Sequence, residues 1–286
     1  MIADRYKVLI TVVEEKSLSG AANKLGYTPS GISRMIATLE DEAGIKLFKR
    51  SKAGVTPTNE CLQLLPAARN IVYYAEQYDQ LASEFCGLSK GSLTIGTSYS
   101  SYNRWIIQVI REFNEIYPHI DIKLVQKNST LLTKAVENHE TDIGIVSKRD
   151  GDVEWMQLRK DPMVAWVSKD SKYAEMGYVP IEAFAHEDYI DPYPDEDTDT
   201  KRVLNKHGIT PEIKYTVNDT YAAVCLVEAG LGISLMNGLD TREWENQIGI
   251  LPTRPQSYID IGIISSKRSE LSPAARKFME FVQERI

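Results

Sequence analysis

The spacing of apolar residues changes near Gly91, and this change limits the folds open to the chain. Before it, apolar residues recur at helical spacing, as amphipathic helices require. After it, short runs rich in Val and Ile alternate with helical segments, which is typical of parallel sheets covered by helices. A chain of 286 residues is long enough for both units. We therefore expect a helical N-terminal domain followed by a larger α/β domain.

Charge is also divided unevenly along the chain. The first 65 residues carry nine Lys or Arg and seven Asp or Glu, a net +2 within a protein whose total is −7. A small basic unit joined to an acidic body fits a nucleic-acid reader attached to a sensor, although a solvated loop would look similar. No stretch reaches the roughly 18 apolar residues of a membrane span, and the three cysteines form no Cys-x-x-Cys pair. We expect a cytoplasmic protein without membrane contact, disulfides or a zinc site.

Capping residues delimit three short helices near the N-terminus. Positions 6–13 follow helical spacing, and Ser17 is suited to the N-cap of a second helix that ends at Gly26. Thr28 can cap a third helix whose first residue is Pro29, where a missing N–H has no cost. Two helices joined by a short turn at a glycine form the helix-turn-helix arrangement.

The third helix has two contrasting faces. One is an apolar stripe of Ile32, Met35, Ile36, Leu39 and Ala43. The other carries mostly short polar side chains: Ser30, Ser33, Arg34, Ala37, Thr38 and Asp41. Short side chains let a helix approach base edges in the major groove of DNA. Taken alone, the pattern also fits an amphipathic helical hairpin packed in an ordinary core.

A basic hairpin follows the third helix. Residues 46–58 read as two short strands around a turn that carries Lys49, Arg50 and Lys52, and the segment contains no acidic residue. A basic hairpin beside a recognition helix is a wing, placed to hold the phosphate backbone or to enter the minor groove. The wing favours DNA binding over the ordinary helical hairpin.

Residues 59–85 carry an apolar stripe at alternating three- and four-residue spacing. The stripe consists of Leu64, Ala67, Ile71, Tyr74, Tyr78, Leu81 and Phe85. A 3.5-residue period is typical of a coiled-coil seam, so we expect a dimerisation helix; the alternative is a helix packed against its own domain. Pro66 should kink this helix or mark its start.

The segment after this helix, Gly87-Leu88-Ser89-Lys90-Gly91, matches the Gly-x-Ser-x-Gly of serine hydrolases. A nucleophile elbow needs a strand before the serine and a helix after it, whereas here the expected helix comes first. We therefore interpret this segment as a linker.

Several of these segments together resemble the N-terminal signature of LysR-type transcriptional regulators. They are Ser17 to Gly26, Ser30 to Ile36, Leu39-Glu40 and Gly44 to Arg50. The resemblance implies a winged helix-turn-helix DNA-binding domain in residues 1–58, a linker helix and hinge in 59–90, and an effector-binding domain in 91–286. The family commonly has a glutamine where this chain has Pro29, which shifts base reading to the neighbours. The implied DNA contacts are Thr28, Ser30, Gly31, Ser33, Arg34, Thr38, Lys49, Arg50 and Lys52.

The remaining sequence predicts two α/β lobes. Strands at 93–96, 120–125 and 142–146 alternate with helices at 105–113 and 131–138. A second set has strands near 163–168, 213–217 and 232–236 and helices near 198–207 and 221–229, and a strand at 259–264 and a helix at 272–285 return to the first lobe. The resemblance implies a periplasmic-binding-protein-like effector domain, with lobe I at about 91–162 and 266–286 and lobe II at about 163–265. The fold class is α+β and multidomain.

Ligands of open parallel sheets bind beyond the C-terminal strand ends, where helices begin. The loop at 97–101 is rich in hydroxyls and suits a carboxylate or another small anion. By resemblance, the first wall of the cleft would comprise Ser98, Tyr99, Ser100, Ser101, Thr130 and Ser147, and the second Asp191, Tyr193, Asp219, Thr220 and Tyr221. The alternative is that these side chains only cap helices.

The acidic stretch from Asp188 to Asp199 could hold a cation, but its acids lack the spacing of a calcium loop. We interpret it as a solvated loop. The four histidines show no metal spacing, so no metal or cofactor is expected.

The expected function is that of a regulator, not an enzyme. The partners would be double-stranded promoter DNA, a small-molecule effector, and a second copy in a homodimer or homotetramer; contact with RNA polymerase is compatible with this role. A solute-binding protein, an enzyme with a helical accessory domain and a nonspecific DNA-architectural protein are the alternatives. The first has no use for the initial ninety residues, the second lacks a nucleophile or metal cluster, and the third would ignore DNA sequence.

Overall fold

The computed structural model describes residues 2–51, 54–85, 90–99 and 102–285. The chain begins with three helices, α1 (Ile2–Glu15), α2 (Leu18–Leu25) and α3 (Pro29–Ala43). Ser17 and Thr28 cap α2 and α3 through their side-chain oxygens, and Gly26 closes α2 in the left-handed conformation with φ 71°. These are the caps that the sequence predicts.

One apolar core joins the three helices. Ile32, Ile36 and Leu39 of α3 are buried there, and Met35 packs against it. Ala43, which we expected in the same stripe, is exposed because it is the last residue of the helix. The polar face of α3 is therefore the face left toward solvent.

The wing is an antiparallel pair of strands, β1 (Phe48–Ser51) and β2 (Gly54–Pro57). Phe48 at its base is buried in the helical core. The backbone N–H of Val55 donates to the carbonyl of Lys16 over 3.2 Å, which fixes the wing to the turn between α1 and α2. The hairpin is thus attached at two points.

A long helix, α4 (Asn59–Phe85), connects the N-terminal domain to the rest of the chain. It runs through Pro66, so this proline does not mark its start. One face of α4 docks on the following domain: Arg69 pairs with Glu140 over 3.0 Å, and the Tyr73 ring stacks on that of His139 with centroids 4.0 Å apart. The other face carries the apolar stripe.

The first lobe starts with a βαβαβ unit. Its elements are β3 (Gly91–Thr97), α5 (Asn103–Ile116), β4 (Ile120–Gln126), α6 (Ser129–Glu137) and β5 (Ile143–Ser147). Strand β3 lies between β4 and β5 and is parallel to both, as the sequence predicts. The carboxyl ends of β3 and β5 therefore meet at one edge, next to the start of α6.

The second lobe follows a long strand, β6 (Glu154–Val167). Its elements are α7 (Lys172–Met176), β7 (Val179–Pro180), β8 (Tyr189–Pro192), α8 (Asp199–Lys206), β9 (Ile213–Val217), α9 (Thr220–Glu228), β10 (Ser234–Asn237) and β11 (Gly249–Arg254), with 3₁₀ helices at Ile181–Ala185, Gly238–Asp240 and Arg242–Trp244. Strands β8 and β9 form a parallel pair, while β10 and β11 both run antiparallel to β6.

The two lobes are joined by β6, which in the first lobe pairs with the last strand, β12 (Tyr258–Ser265). Positions 154–162 of β6 pair with β12, and positions 163–167 pair with β10 and β11, so the chain first crosses between the lobes within β6. Because β12 also pairs with β5, it belongs to the sheet of the first lobe, and the return crossing lies before Tyr258, not at 265. Helix α10 (Pro273–Gln283) then covers this lobe.

Candidate functional site

The outward face of α3 is the first candidate surface. Thr28, Ser30 and Arg34 are exposed, and Gly31, Ser33 and Thr38 are partly exposed. The six residues of α3 and its cap that we predicted to contact DNA are thus accessible. A DNA duplex can therefore contact these residues without rearrangement of the protein core.

Hydrogen bonds within the helix hold two of these side chains in place. The Thr28 hydroxyl oxygen accepts from the backbone N–H of Gly31 over 3.1 Å and lies 3.2 Å from the Ser30 hydroxyl. The Thr38 hydroxyl donates to the carbonyl of Arg34 over 3.0 Å. Their rotamers are therefore fixed, while the longer Arg34 side chain extends into solvent.

The wing is coupled to α3 by Glu40, which the sequence analysis did not single out as functional. Its carboxylate accepts the backbone N–H groups of Leu47 at 2.9 Å and Phe48 at 3.3 Å, and it pairs with Lys46 at 2.7 Å. Burial raises the pKa of Glu40, but these three donors outweigh burial and hold the pKa below its usual value. Wing and recognition helix thus form one unit.

The predicted wing contacts are only partly visible. Lys49 is exposed on β1. The side chain of Arg50 and the whole of Lys52 lie outside the described residues.

The second candidate site is a cleft between the two lobes, with a cavity of about 470 Å³. Its lining is mostly polar and comes from the ends of β3, β4, β8 and β10 and the starts of α6, α8 and α9. The lining residues are Ser98, Tyr99, Gln126, Lys127, Asn128, Ser129, Arg149, Pro192, Tyr193, Glu196, Asp197, Thr198, Asp199, Thr200, Thr220, Met236 and Asn237. The volume is sufficient for a small metabolite.

A buried ion pair lies at one wall of the cleft. The side chains of Arg149 and Asp199 are 7% and 8% exposed, and Nη2 of Arg149 is 2.8 Å from Oδ1 of Asp199. The same carboxylate accepts hydrogen bonds from the hydroxyls of Ser147 and Tyr99, both at 2.5 Å, and from the Asn237 amide at 3.2 Å. Burial raises the pKa of the Tyr99 hydroxyl, which therefore keeps its proton and remains a donor.

A second carboxylate bridges the lobes beside this pair. Oδ2 of Asp197 accepts from the Thr130 hydroxyl over 2.6 Å, and Asp197 is held by Arg202 at 2.5 Å. The hydrogen bond from Arg202, together with that from Thr130, lowers the pKa of Asp197 to about 2. Arg149 also donates through Nε to the Thr130 oxygen over 3.2 Å.

The structure brings together most of the predicted effector residues. Ser98, Tyr99, Tyr193 and Thr220 line the cleft, whereas Ser147 and Thr130 lie beneath it in the ionic network. Ser100 and Ser101 fall outside the described residues.

Three predicted effector residues lie outside the lining that the described residues form. Asp191 is buried in β8, with Oδ2 of its carboxylate 3.5 Å from Nζ of Lys201. Asp219 caps α9 by accepting from the N–H of Ala222 over 2.8 Å. Tyr221 is 61% exposed, on the first turn of α9. For Asp219 the helix-capping alternative describes the observed contact.

Sequence reasoning missed the charged centre of the cleft. Arg149 follows the predicted strand end by three residues, so its place at the sheet edge was a usable signal. Asp199 belongs to the acidic stretch that we interpreted as a solvated loop; that interpretation is wrong for Asp191 and Asp199, which are buried on basic partners. Nothing in the local sequence indicates those partners.

The described residues contain no group of three or more His, Cys, Asp or Glu side chains arranged to hold a metal ion. Among the same residues, no helix combines the length and the apolar character needed to cross a membrane. What the arrangement offers is a surface for DNA and a polar cleft for a small molecule.

Comparison with known proteins finds a family match for each of the two parts of the chain. The family described as "Bacterial regulatory helix-turn-helix protein, lysR family" matches residues 3–62, and "LysR substrate binding domain" matches residues 87–286. The HTH-type transcriptional regulator cbl of Klebsiella aerogenes is 30% identical over 238 residues, 78% of this chain and 72% of that protein.

Solved structures show the same fold. A full-length OxyR variant from Pseudomonas aeruginosa aligns over 99% of this chain and 94% of its own with a TM-score of 0.73 at 18% identity. Full-length CbnR complexed with its target DNA aligns over 100% of both chains with a TM-score of 0.63 at 20% identity.

The winged helix-turn-helix, the linker helix and the two-lobed domain define a DNA-binding transcriptional regulator with an effector-binding domain. The chain belongs to the LysR family of bacterial transcriptional regulators.

Proposed function

We propose that the chain binds double-stranded promoter DNA through α3 and the wing, and that a small molecule in the interlobe cleft alters the DNA complex. Residues 1–58 would be the DNA-binding unit, 59–90 the connection and 91–286 the sensor. The protein would act in the cytoplasm, where its DNA and RNA polymerase are found.

The observation that carries the proposal is the division of α3 into an apolar face packed in the core and an accessible polar face. Ile32, Ile36 and Leu39 are buried in the core. Ser30, Ser33 and Arg34 remain toward solvent on the first two turns, the part of a recognition helix that contacts base edges. Lys49, exposed on the neighbouring wing strand β1, would contact a DNA phosphate.

The apolar stripe of α4 supports a homodimer or a homotetramer. Its side chains remain exposed in the single chain: Tyr78 is 72% and Phe85 is 91% exposed, and the other members of the stripe are exposed as well, namely Leu64, Ala67, Ile71, Tyr74 and Leu81. A second α4 on this stripe would cover them and pair two recognition helices.

Helix α6 connects the cleft to α4 and could transmit a change in the cleft to the linker helix. Ser129 at its first turn accepts from the backbone N–H of Ser147 over 3.0 Å beside the ion pair. Beyond its other end, His139 and Glu140 contact Tyr73 and Arg69 of α4. An effector with different affinities for two positions of α6 would bias the linker helix, and with it the spacing of the DNA-binding units.

Selection of DNA from a random-sequence library by the purified protein tests DNA reading. We expect enrichment of a sequence with dyad symmetry. On that sequence Arg34→Ala should lower affinity about tenfold and broaden the selected sequences, since one good base contact contributes about 1–3 kcal/mol. Lys206→Ala, a similar loss of charge on the exposed last turn of α8, should change neither. Equal affinity for all sequences would favour the architectural alternative instead.

Two matched charge insertions test the role of α4. Tyr78→Lys places a charge in the stripe and should shift sedimentation toward the monomer. Asp79→Lys places the same charge on the adjacent exposed residue outside the stripe and should leave the oligomer intact. The same response from both variants would contradict pairing through the stripe.

A further inference from the structure

The cleft proposed for the effector already holds a carboxylate of the chain itself. Asp199 takes four donors at once: Arg149, Ser147, Tyr99 and Asn237. A charged pair of this kind, with hydroxyl and amide donors filling the remaining acceptor positions, is how proteins commonly bind a small carboxylate ligand.

The contact also joins the two lobes. Arg149, Ser147 and Tyr99 belong to the first lobe, whereas Asp199 is the first residue of α8 in the second. Asp197, two residues earlier, accepts a further hydrogen bond from the Thr130 hydroxyl of the first lobe. Release of Asp199 would therefore remove three charge-assisted hydrogen bonds between the lobes at this edge of the cleft, including the ion pair with Arg149.

The charge of Arg149 restricts what can replace Asp199. A guanidinium stays protonated, and a buried charge that loses its partner is strongly destabilising. A cation or a neutral molecule that drew Asp199 away would leave Arg149 buried and unpaired. A carboxylate ligand supplies the missing charge and can take the same hydroxyl donors.

Resting on the proposed function, we infer that the effector is a small organic carboxylate that displaces Asp199 from Arg149 and so releases the second lobe from the first. The cavity beside the ion pair accommodates the rest of the molecule. Polar residues line it there: Ser98, Lys127, Asn128, Tyr193 and Thr220. The free protein is thus held by an internal competitor for its own ligand.

Chemical rescue tests this inference on the full-length protein. Asp199→Ala removes the internal carboxylate and leaves space for formate, which has the same carboxylate group. We expect the variant to melt lower than the wild type, and sodium formate to raise its Tm by at least about 3 °C more than sodium chloride of equal ionic strength. The wild type should respond to formate no more than to chloride, because Asp199 occupies the site.

Two controls separate a specific site from a general salt effect. In Asp199→Ala/Arg149→Leu the cation is gone, so formate should not act. Asp197→Ala removes a carboxylate from the same segment and leaves the Arg149 pair intact, so it too should show no specific rescue. Equal responses to formate in the single and double variants would overturn the inference.

Hydrogen exchange of backbone amides measures the release of the second lobe from the first. Backbone amides in residues 191–201 should exchange with deuterium at least about tenfold faster in formate-loaded Asp199→Ala than in the wild type. Unchanged exchange would exclude the release step. If Asp199→Ala does not fold, Asp199→Asn keeps the side-chain volume, and its acetate dissociation constant should be at least about tenfold lower than that of the wild type; no gain would contradict the inference.

These outcomes are distinguishable from a failure of the proposed function. Absence of rescue in a preparation that still selects a DNA sequence rejects only the carboxylate displacement. Absence of sequence-selective DNA binding rejects the proposed function, whatever formate does.

Discussion

The outward face of α3 and the interlobe cleft are both built from short polar side chains beside an arginine, yet the two arginines differ in burial and in pairing. Arg34 on α3 is exposed to solvent, whereas Arg149 in the cleft is buried on Asp199. A solvated arginine needs no partner and can move onto DNA at little cost. A buried one must exchange one anion for another, and the comparison therefore separates a surface ready for its ligand from a site that a ligand must compete for.

The largest expected effect comes from breaking the buried pair. Arg149→Leu leaves Asp199 buried without a cation and should lower the free energy of unfolding by on the order of 3 kcal/mol, measured by urea denaturation. The same substitution at the exposed position, Arg34→Leu, should change stability by less than about 0.5 kcal/mol.

A double variant sharpens this contrast. Arg149→Leu/Asp199→Leu removes both charges and should recover much of the stability lost in Arg149→Leu, since two apolar side chains leave no buried charge unpaired. Equal stability of Arg149→Leu and Arg34→Leu would show that the cleft pair is as well solvated as the surface arginine.

Asp142 extends the comparison to a half-buried carboxyl that forms no ion pair with any residue that the structure describes. Burial, with a smaller contribution from Glu76, raises its pKa to about 6, although the N–H of Thr94 donates to it over 2.7 Å. Because the unfolded state ionises at lower pH than the folded state, stability is lost as pH rises from about 4 to about 6. Asp142→Asn removes this loss and keeps an acceptor for Thr94.

The expected gain of Asp142→Asn is on the order of 2 kcal/mol above pH 7, falling toward zero near pH 4. Urea denaturation across that pH range measures it. Asp121→Asn, the same change at an exposed position of β4, is the matched control and should change stability by less than about 0.5 kcal/mol. A pH-independent difference for Asp142→Asn would show that the Asp142 carboxyl is ionised without penalty.

The N-terminal domain could be predicted nearly residue by residue because its signals are local. Ser17, Gly26 and Thr28 act within one helical turn of themselves. The first half of β6 gave no such signal: its charged residues Arg159, Lys160 and Asp161 form a strand because β12 pairs with them about a hundred positions later. The expected strand therefore began only at Met163.

The same reasoning explains which parts of the cleft could be predicted. Hydroxyls such as Ser98 follow from strand ends and helix starts, which the apolar pattern marks. The meeting of Arg149 with Asp199, fifty positions apart, depends on how one lobe closes on the other. An acidic stretch reads as solvated unless its distant cations are known, so the internal ligand was invisible in the sequence.

The smallest predicted effect distinguishes the wing from α3 within the DNA-binding surface. Lys49 is exposed on β1, where it can neutralise a phosphate without reading a base. Lys49→Ala should weaken binding to selected and unrelated DNA by the same factor and reduce the slope of log affinity against log salt concentration by about 0.9. Fluorescence anisotropy over a range of salt concentrations measures both. A loss confined to the selected sequence would mean that the wing reads bases, and the contrast with Arg34 would then disappear.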